Sequence, residues 1–444
     1  MTPLGPSPLT AGDLNQSVAQ ARDAIQKAIA AAPLPRSVAQ TAALGLREAL
    51  GRVLAADLVG TMDVPPHDNS AMDGYAFDGA ELRDDSALAL QNMATVMAGA
   101  PFSGNLAPGQ CVRIMTGAVM PAGLDTVVPQ ELCQVQGEQV LIQPGTLKRG
   151  DNRRRRGEDL ALGQPALRAG RRLKPADLGL AASLGYTTVT VRQRLRVALF
   201  STGNEVFSPG QPLPAGGIYD SNRFSLMAAL QRLDVEVVDL GLVPDEPQAL
   251  AAVLDRAVRE ADAVLTSGGV SVGDADYTRD MLARLGEVAF WKVAMRPGRP
   301  FAFGPLRAAA APADQPSPND GDTAGAPAAW LFALPGNPVA ALVTFYVFAR
   351  EALLQLAGAL PEPLPLLQLP CANAIRKRPG RTEYQRGVVF AGPDGAWQVR
   401  LTGQQGAGIL RSLSEANALV VLGHDQGSVA AGDRVDVWLF DGLT

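Results

Sequence analysis

Histidine, cysteine and aromatic residues are scarce in this chain of 444 residues. Its two histidines and three cysteines lie far apart, so neither a zinc site of the usual Cys/His type nor a disulfide framework is expected. Cys111, Cys133 and Cys371 are predicted to be buried thiols of a protein from a reducing compartment. Any bound metal is expected to be a hard, oxygen-ligated ion such as Mg²⁺.

An excess of basic residues is also missing, because the formal net charge is -5. No broad nucleic-acid-binding face is therefore expected, although a small anion site is compatible with this charge. No apolar run approaches the roughly 18 residues needed to span a bilayer. The N-terminal sequence MTPLGPSPLTAGDL has neither the basic start nor the apolar core of a signal peptide. We therefore predict a cytoplasmic protein without a membrane partner.

In the N-terminal region, predicted helices are followed by short predicted strands. An amphipathic helix is predicted after Asp13, since apolar residues recur at spacings of three and four. Those residues are Leu14, Val18, Ala21, Ile25 and Ile29. A second, short helix is predicted around Glu48–Ala56. Residues 86–145 consist of short β-like runs separated by Gly and Pro, which is typical of a small β domain.

From Arg196 onward, strand-like and helix-like segments alternate. LRVALF, VEVVDLGLV and ADAVLTSGG have the composition of buried strands, and they alternate with SNRFSLMAALQRL, PQALAAVLDRAVRE and DYTRDMLARLG. The first of these helices is expected to be capped by Asp220 or Ser221. The alternation predicts a parallel sheet covered by helices. Residues 307–329 are predicted to be a disordered insertion, and the last eighty residues a β-barrel or sandwich.

Three polar loops follow strands of the predicted parallel sheet, and such strand ends are where open α/β sheets bind ligands. The loops are STGNE (201–205), SGGVSVGDAD (267–276) and PGNP (335–338). Gly268, Gly269 and Gly273 would leave backbone N–H groups open to an anion. A tight connection without a ligand is the alternative for any one loop, but three at one edge favour a site. The loops lack the GK[ST] and GxGxxG spacings of common nucleotide folds.

Charged residues accompany these loops. Glu205, Asp245 and Asp276 would each serve as an ordinary helix cap, but together they are candidate oxygen ligands for Mg²⁺. In WKVAMRPGRP, Lys292, Arg296 and Arg299 lie on a backbone fixed by Pro and Gly. This arrangement suits an oxyanion or phosphate, with a solvated charged turn as the alternative.

The string PPHDNSAMDGYA (65–76) has the composition of a surface turn, but that reading does not account for Met72 and Tyr75. Together with IMTGAVMPAG, RRRGEDL, STGNE, TSGGVSVGDADYT, WKVAMRPGRPFAFG and LPGNPVAA, it closely resembles the MoeA family, the molybdopterin molybdenumtransferases, which include the E domain of gephyrin. The motifs occur in the family's order over nearly the whole chain. Arg296 and Arg299 stand where the family often has Lys, and Ala407 where many members have Ser.

The resemblance implies an elongated homodimer of four subdomains, combining multidomain α/β and β structure. A discontinuous N-terminal linker and dimer domain would comprise 10–45 and 150–192, with a β-rich domain, 46–149, inserted in it. A central parallel-sheet molybdopterin-binding domain would comprise 193–360, and a β-barrel domain 361–444. The active cleft would lie at the subunit interface. Other proteins of molybdenum cofactor biosynthesis are further possible partners.

The implied reaction inserts molybdenum from molybdate into adenylylated molybdopterin, uses Mg²⁺ and releases AMP. Asp68 and Thr116 would line the cleft from the partner subunit, with Met72 and Tyr75 anchoring their loop in the core. Asp159 also matches a functional position. The implied catalytic residues are Asp68, Thr116, Glu205, Asp276 and Lys292, and the metal ligands are Glu205, Asp245 and Asp276. The implied cofactor-binding residues are Ser267, Gly268, Gly269, Ser271, Gly273, Arg296, Arg299, Pro335, Gly336, Asn337 and Pro338.

Two other functions remain open at this point. The chain could be a non-catalytic molybdopterin-binding scaffold, which the loss of the hydroxyl at Ala407 would favour. It could also be a molybdopterin adenylyltransferase, which shares the α/β unit but lacks the additional domains.

Overall fold

The computed structural model describes residues 16–268, 287–307 and 327–440. In the N-terminal region the helices are α1 (Val18–Ala30), α2 (Arg36–Ala39) and α3 (Pro175–Ser183). The strands there are β1 (Thr41–Gly45), β2 (Leu58–Val59), β3 (Asn69–Ser70), β4 (Gly74–Phe77), β5 (Leu88–Val96), β6 (Gln110–Ile114), β7 (Thr126–Pro129), β8 (Gln134–Gln136), β9 (Gln139–Ile142), β10 (Arg153–Arg154), β11 (Pro165–Leu167) and β12 (Thr188–Arg192).

The predicted N-terminal amphipathic helix is confirmed as α1. Ser17 and Gln20 form a capping box at its start, with the Ser17 amide donating to Gln20 Oε1 at 2.9 Å. Four residues of the predicted apolar face, Val18, Ala21, Ile25 and Ile29, are buried, and the fifth, Leu14, lies outside the described residues. This face packs in the core of the central region, where α1 lies against the helix at 350–356.

The prediction of a helix around Glu48–Ala56 is wrong. A 3-10 turn at Leu46–Glu48 is followed by extended chain, in which Leu54 bridges Val191 of β12. The break occurs at Gly51, which has φ 78 and donates its amide to the Leu173 carbonyl at 2.9 Å. That left-handed conformation ends a helix, and glycine adopts it without steric cost.

The short β-like runs after residue 86 are confirmed as strands, and together with the preceding β4 they form a sheet with the order β7-β4-β6-β5-β9-β8. Apolar clusters cover its two faces. Residues 46–67 pack elsewhere, because Leu54 and Leu58 share a core with Leu167 and Leu173. β1 also pairs with β12. The division of the chain into domains stays a prediction.

The central region contains helices and strands in the predicted alternation. Its strands are β13 (Arg196–Thr202), β14 (Val206–Phe207), β15 (Ile218–Tyr219), β16 (Glu236–Val243), β17 (Ala263–Ser267), β18 (Ala289–Lys292), β19 (Met295–Arg296), β20 (Pro300–Leu306) and β21 (Ala329–Leu334). Its helices are α4 (Asn222–Gln231), α5 (Pro247–Glu260), α6 (Pro338–Thr344) and α7 (Arg350–Leu356).

The central sheet has the order β16-β13-β17-β21-β20-β18. The strands β16, β13, β17 and β21 are parallel to one another, as predicted. β20 and β18 run antiparallel and were not predicted. One face packs against α4 and the α6–α7 helix, and the other against α5. Asp220 caps α4, since its Oδ1 accepts from the Arg223 amide at 3.1 Å. The helix predicted at DYTRDMLARLG and the bulk of the predicted insertion, 308–326, lie outside the described residues.

A continuous apolar helix follows β21. α6 passes through a π-helical segment, Phe345–Ala349, into α7. Within the described residues, Pro338–Leu356 is long and apolar enough to cross a membrane, contrary to the expectation that no run approaches that length. Because 72% of this stretch is buried inside the protein, it serves as a core helix.

The C-terminal region forms the predicted barrel. Its strands are β22 (Leu367–Pro370), β23 (Thr382–Ala391), β24 (Trp397–Leu401), β25 (Ala418–Leu422) and β26 (Arg434–Leu439), and its helix is α8 (Leu410–Ser414). The order β24-β23-β25-β26-β22 is closed by a bridge between Cys371, next to β22, and Val399 of β24. Cys111 and Cys371 are buried free thiols as expected, whereas Cys133 is only partly buried.

Candidate functional site

The parallel strands of the central sheet end level with one another, which brings the predicted loops to one edge. Thr202 at the end of β13 pairs with Val243 of β16, and Ser267 of β17 pairs with both Ser201 and Leu334. The loops at 203–205, 245, 268 and 335–338 therefore leave the sheet side by side.

A crevice is expected between β13 and β17. The chain passes from β13 to β16 on one side and then crosses back to β17 on the other, and such a switch point is where open α/β sheets bind ligands. Gly268 has φ 96, and a Cβ there would lie 2.5 Å from the Thr202 carbonyl oxygen. Only glycine fits this close approach of the two strand ends.

Asn222, which the sequence analysis did not select, joins two of the predicted loops. Its Nδ2 donates to Ser267 Oγ at 2.7 Å and to the Gly336 carbonyl at 2.6 Å. Ser267 Oγ also donates to the Pro335 carbonyl at 3.4 Å. The signal in the sequence was an amide at the first residue of α4, directly after a loop of this edge.

The PGNP loop leads into α6 and meets the barrel. Asn337 precedes the helix with an exposed side chain that makes no capping hydrogen bond, and Pro338 is the first helical residue. The Val339 amide donates to the Ala407 carbonyl at 3.1 Å. The contact between Ala407 and α6 therefore uses the Ala407 backbone carbonyl.

Acidic residues lie at the β13 and β16 ends. Thr202 Oγ1 donates to Asp245 Oδ1 at 3.2 Å, and the Asp245 amide donates to Asn204 Oδ1 at 3.2 Å. Glu205 is exposed on the same loop as Asn204. Carboxylate and hydroxyl oxygens are ligand atoms that suit Mg²⁺. Across the described ranges, no cluster of three His, Cys, Asp or Glu could hold a metal ion.

Several predicted site residues cannot be compared with this geometry. Asp276, the third predicted metal ligand, lies outside the described residues, as do Gly269, Ser271 and Gly273 of the glycine loop.

The predicted cationic residues lie where the strand-end edge of the central sheet continues beyond β21. Lys292 pairs with Pro300, and Ala302 pairs with Ala333, so Lys292 lies level with Pro335. Arg296 is exposed and lies in β19, which pairs with the start of β23 in the barrel. The segment containing Lys292, Arg296 and Arg299 thus connects the sheet edge with the C-terminal region.

Arg386 is a buried cation behind Arg296 that the sequence analysis missed. It is 1% exposed, and burial together with the charge of Arg296 lowers its pKa to about 10. Its guanidinium donates to Ser412 Oγ and the Gly406 carbonyl, both at 3.0 Å. It thereby fixes the loop that presents Ala407 to α6.

Asp68 and Thr116 lie in a second polar cluster, next to the N-terminal sheet. Asp68 Oδ1 accepts from the Arg156 amide at 2.8 Å, and Oδ2 lies 3.6 Å from Arg153 Nη1. The Thr116 hydroxyl and amide donate to Asp73 Oδ1 at 2.6 and 2.7 Å. These bonds hold the pKa of the Asp73 carboxyl below its usual value.

Tyr75 and Met72, the two expected anchors of this loop, differ in burial. Tyr75 is 7% exposed and packs in the core of the sheet. Met72 is 42% exposed, so its prediction as an anchor is wrong. The loop is instead fixed by the Ser70 hydroxyl, which donates to the Met72 carbonyl at 2.6 Å. Asp159 is exposed near the same loop, with its amide donating to the Val64 carbonyl.

In the part of the chain that the structure describes, no hydrogen bond or ion pair of Asp68 or Thr116 reaches the central sheet.

Comparison with known families covers nearly the whole chain. Residues 16–185 match "MoeA N-terminal region (domain I and II)", 198–355 match "Probable molybdopterin binding domain", and 368–440 match "MoeA C-terminal region (domain IV)". A molybdopterin molybdenumtransferase from Haemophilus influenzae is 38% identical over 405 residues, which cover 91% of this chain and 95% of the relative.

Two further similarities agree with this match. A molybdopterin molybdenumtransferase from Nostoc sp. is 36% identical, covering 89% of this chain and 88% of that protein. The crystal structure of a molybdopterin biosynthesis moeA protein from Pyrococcus horikoshii superposes with a TM-score of 0.76 at 25% identity. That superposition covers 96% of this chain and 100% of the other.

Proposed function

Because the chain belongs to the MoeA family, the molybdopterin molybdenumtransferases, we propose that it transfers molybdenum from molybdate to adenylylated molybdopterin with Mg²⁺-dependent release of AMP. Molybdenum insertion in molybdenum cofactor biosynthesis is the activity of the family. The observation that carries the finer proposal is the level ending of β16, β13, β17 and β21, which gathers the predicted loops at one edge.

The adenylylated pterin is proposed to bind across the crevice between β13 and β17. Gly268 lets the ends of β13 and β17 approach each other closely, and the Asn222 amide holds the Ser267 and Gly336 segments together. Ser267, Gly268 and the 335–338 loop would position the phosphate-bearing part, with Gly269, Ser271 and Gly273 completing the glycine loop.

Glu205, Asp245 and Asp276 are proposed as the ligands of Mg²⁺. Asp245 and the Glu205 loop lie together, and the Thr202 hydroxyl orients the Asp245 carboxylate. A bound Mg²⁺ would neutralise charge on the phosphate oxygens during cleavage of the pyrophosphate linkage. Asp276 is included because it ends the loop that follows β17 in the sequence.

Molybdate is proposed to bind at the cationic part of the edge. Lys292 lies level with Pro335, and Arg296 and Arg299 follow in the same segment. Charge-assisted hydrogen bonds from such groups suit a tetrahedral oxyanion. Arginine donates in a planar fork where the family often has lysine, so contact geometry is expected to differ while the charge is kept.

The active protein is proposed to be a cytoplasmic homodimer. Asp68 and Thr116 have no polar contact with the central sheet across the described part of their own chain. A second copy would bring its Asp68 cluster to the strand-end edge and complete the cleft, which fits the exposed position of Thr116.

The direct test is AMP release by purified protein from adenylylated molybdopterin, molybdate and Mg²⁺. Asp276→Ala is expected to abolish most of the release. Asp255→Ala, which removes an ion-pair partner of Arg259 on α5, is expected to leave it unchanged. Binding of the pterin without turnover would instead favour a scaffold, and ATP-dependent adenylylation by the chain alone would favour an adenylyltransferase.

A further inference from the structure

Strand β16 contains one more residue than its neighbour β13 over the paired length. In the register of the two strands, Asp239 lies opposite Leu199. Gly241 lies opposite the next residue, Phe200, so Leu240 is an extra residue in β16. Gly241 has φ 77, a conformation that glycine adopts without steric cost. An inserted residue of this kind is a β-bulge, and bulges next to functional sites redirect the residues that follow them.

The bulge sets where β16 ends relative to β13. Beyond the bulge, Thr202 pairs with Val243, two residues before Asp245. Thr202 Oγ1 donates to Asp245 Oδ1 at 3.2 Å. Without the extra residue, the end of β16 would be displaced along β13 by one residue, which is about 3.3 Å. A displacement of that size would break the hydrogen bond that orients the Asp245 carboxylate.

A network of charged residues links the bulge to the start of α4 and to the end of β13. Asp239 Oδ1 accepts from the Gly241 amide at 3.0 Å, and Arg223 Nη1 donates to Asp239 Oδ2 at 2.5 Å. Arg223 Nε donates to Asp220 Oδ2 at 3.1 Å. Asp220 Oδ1 in turn accepts from Ser201 Oγ at 3.0 Å. One guanidinium therefore connects three neighbouring elements of the central region.

Arg223 is the centre of this network, and its position is fixed. It is 9% exposed, and Asp220 is 3% exposed. The Phe224 ring lies over the guanidinium, with its centroid 4.9 Å from the guanidinium carbon. A planar guanidinium that binds two carboxylates through different nitrogens holds both in a defined geometry. Removing Arg223 would take the counter-charge from the buried Asp220 and the support from Asp239 at the bulge.

We propose that Arg223 is a positioning residue for the reaction. Through Asp239 it fixes the bulge that brings Asp245 to the metal site, and through Asp220 it fixes the start of α4, which carries Asn222. The inference rests on the proposed function, because its effect on the reaction is exerted at that site. Arg223 is neither a metal ligand nor a catalytic residue, since it acts through the two aspartates.

Arg223→Gln is expected to loosen the bulge and the end of β16. Hydrogen–deuterium exchange over residues 239–246 should be at least about tenfold faster than in the wild type. The Mg²⁺ concentration needed for half-maximal AMP release should rise at least about tenfold. Arg223→Lys should restore neither value, because an ammonium lacks the planar fork that reaches both carboxylates.

Asp239→Asn is the second variant, should Arg223→Gln fail to fold. Its amide oxygen can still accept from the Gly241 amide, but it removes one charge of the ion pair with Arg223. Exchange over 239–246 and the Mg²⁺ requirement should both increase, by at least about threefold. Unchanged exchange in this variant would contradict the role of the ion pair at the bulge.

Arg194→Gln is the matched control. Arg194 Nε and Nη2 donate to Asp234 Oδ1 at 3.0 and 2.8 Å, just before β13 and β16 begin. The variant thus removes an ion pair at the opposite end of the same two strands. It should have wild-type exchange over 239–246 and wild-type Mg²⁺ dependence.

The exchange and kinetic measurements separate this inference from the proposed function. Unchanged exchange over 239–246 in Arg223→Gln, or equal acceleration in Arg194→Gln, would overturn the proposal. Wild-type Mg²⁺ dependence in an active Arg223→Gln protein would also overturn it. If the wild type itself released no AMP, the proposed function would fail, whereas the exchange comparison would still decide whether Arg223 holds the bulge.

Discussion

The side-chain amide of Asn222 donates to the hydroxyl of Ser267 at 2.7 Å, which ties the first residue of α4 to the last residue of β17. The same nitrogen donates to the Gly336 carbonyl at 2.6 Å. One side chain therefore sets the separation between two loops that come from neighbouring strands. It does so at the proposed pterin crevice, which makes Asn222 a candidate positioning residue.

Asn222→Ala is expected to lower kcat/KM for AMP release. Two hydrogen bonds contribute about 0.5–1.5 kcal/mol each, so the loss should be between about fivefold and about 150-fold. Steady-state kinetics with adenylylated molybdopterin measure it. Asn373→Ala, at an exposed loop position in the barrel region, is the matched control and should have wild-type kinetics. Unchanged kinetics in Asn222→Ala would show that the loops hold their positions without this amide.

Two glycines at the same edge are expected to differ in their tolerance of alanine. Gly268 has φ 96, and a Cβ added there would clash with the Thr202 carbonyl oxygen at 2.5 Å. Gly336 is exposed, and the nearest atom to a Cβ added there would be Gly268 Cα at 3.8 Å. Gly268→Ala should therefore destabilise the protein by about 1–3 kcal/mol and reduce pterin binding. Gly336→Ala should leave the free energy of unfolding nearly unchanged. Urea denaturation measures both, and equal effects would contradict the close approach of the strand ends.

Short-range sequence patterns correctly predicted the helices whose position depends on neighbouring residues. The face of α1 and the start of α5 at Pro247 follow from spacing and from a favoured first helical residue. The helix predicted around Glu48–Ala56 failed because Gly51 takes a left-handed conformation that pairs it with Leu173. That partner is distant in sequence, and periodicity carries no information about it.

The candidate site shows the same division between local and distant information. Strand-end loops were recognisable from Gly, Asn and acidic residues after apolar runs, and the structure gathers the described ones at one edge. Asn222 and Arg386 were missed because their partners Ser267 and Ser412 are 45 and 26 residues away. The antiparallel β18 and β20 were missed for a similar reason, since β20 pairs with β21 across the predicted insertion and β18 is held to the sheet through β20.

Thr116→Val is expected to raise the pKa of the Asp73 carboxyl toward its ordinary value of 3.8. The hydroxyl and amide of Thr116 stabilise the ionised carboxylate, and the variant removes the first of these donors. Carboxyl chemical shifts followed through an acid titration measure the change. Thr146→Val is the control, because that hydroxyl donates to the Gln143 carbonyl instead.

The lowered pKa also fixes the sign of the pH dependence at this loop. A carboxyl whose pKa is lower in the folded state stabilises the fold fully above the unfolded-state value of about 3.8 and loses this effect as the pH falls through the folded-state pKa. Thr116→Val should therefore weaken the decline of stability in that acid range. A steeper decline in the variant would contradict this assignment.

Asp245→Asn is expected to raise the Mg²⁺ concentration needed for half-maximal AMP release by at least about tenfold, because it removes one carboxylate charge from the proposed metal site. The amide oxygen can still accept from Thr202 Oγ1, whose hydrogen bond to Asp245 is 3.2 Å, so the loop should keep its conformation. A Mg²⁺ titration of the reaction measures the shift, and an unchanged melting temperature checks the fold. Asp255→Asn removes a carboxylate from the ion pair with Arg259 on α5 and should titrate like the wild type. If Asp245→Asn also kept the wild-type Mg²⁺ dependence, the carboxylate would not be a metal ligand, and the proposed set would reduce to Glu205 and Asp276.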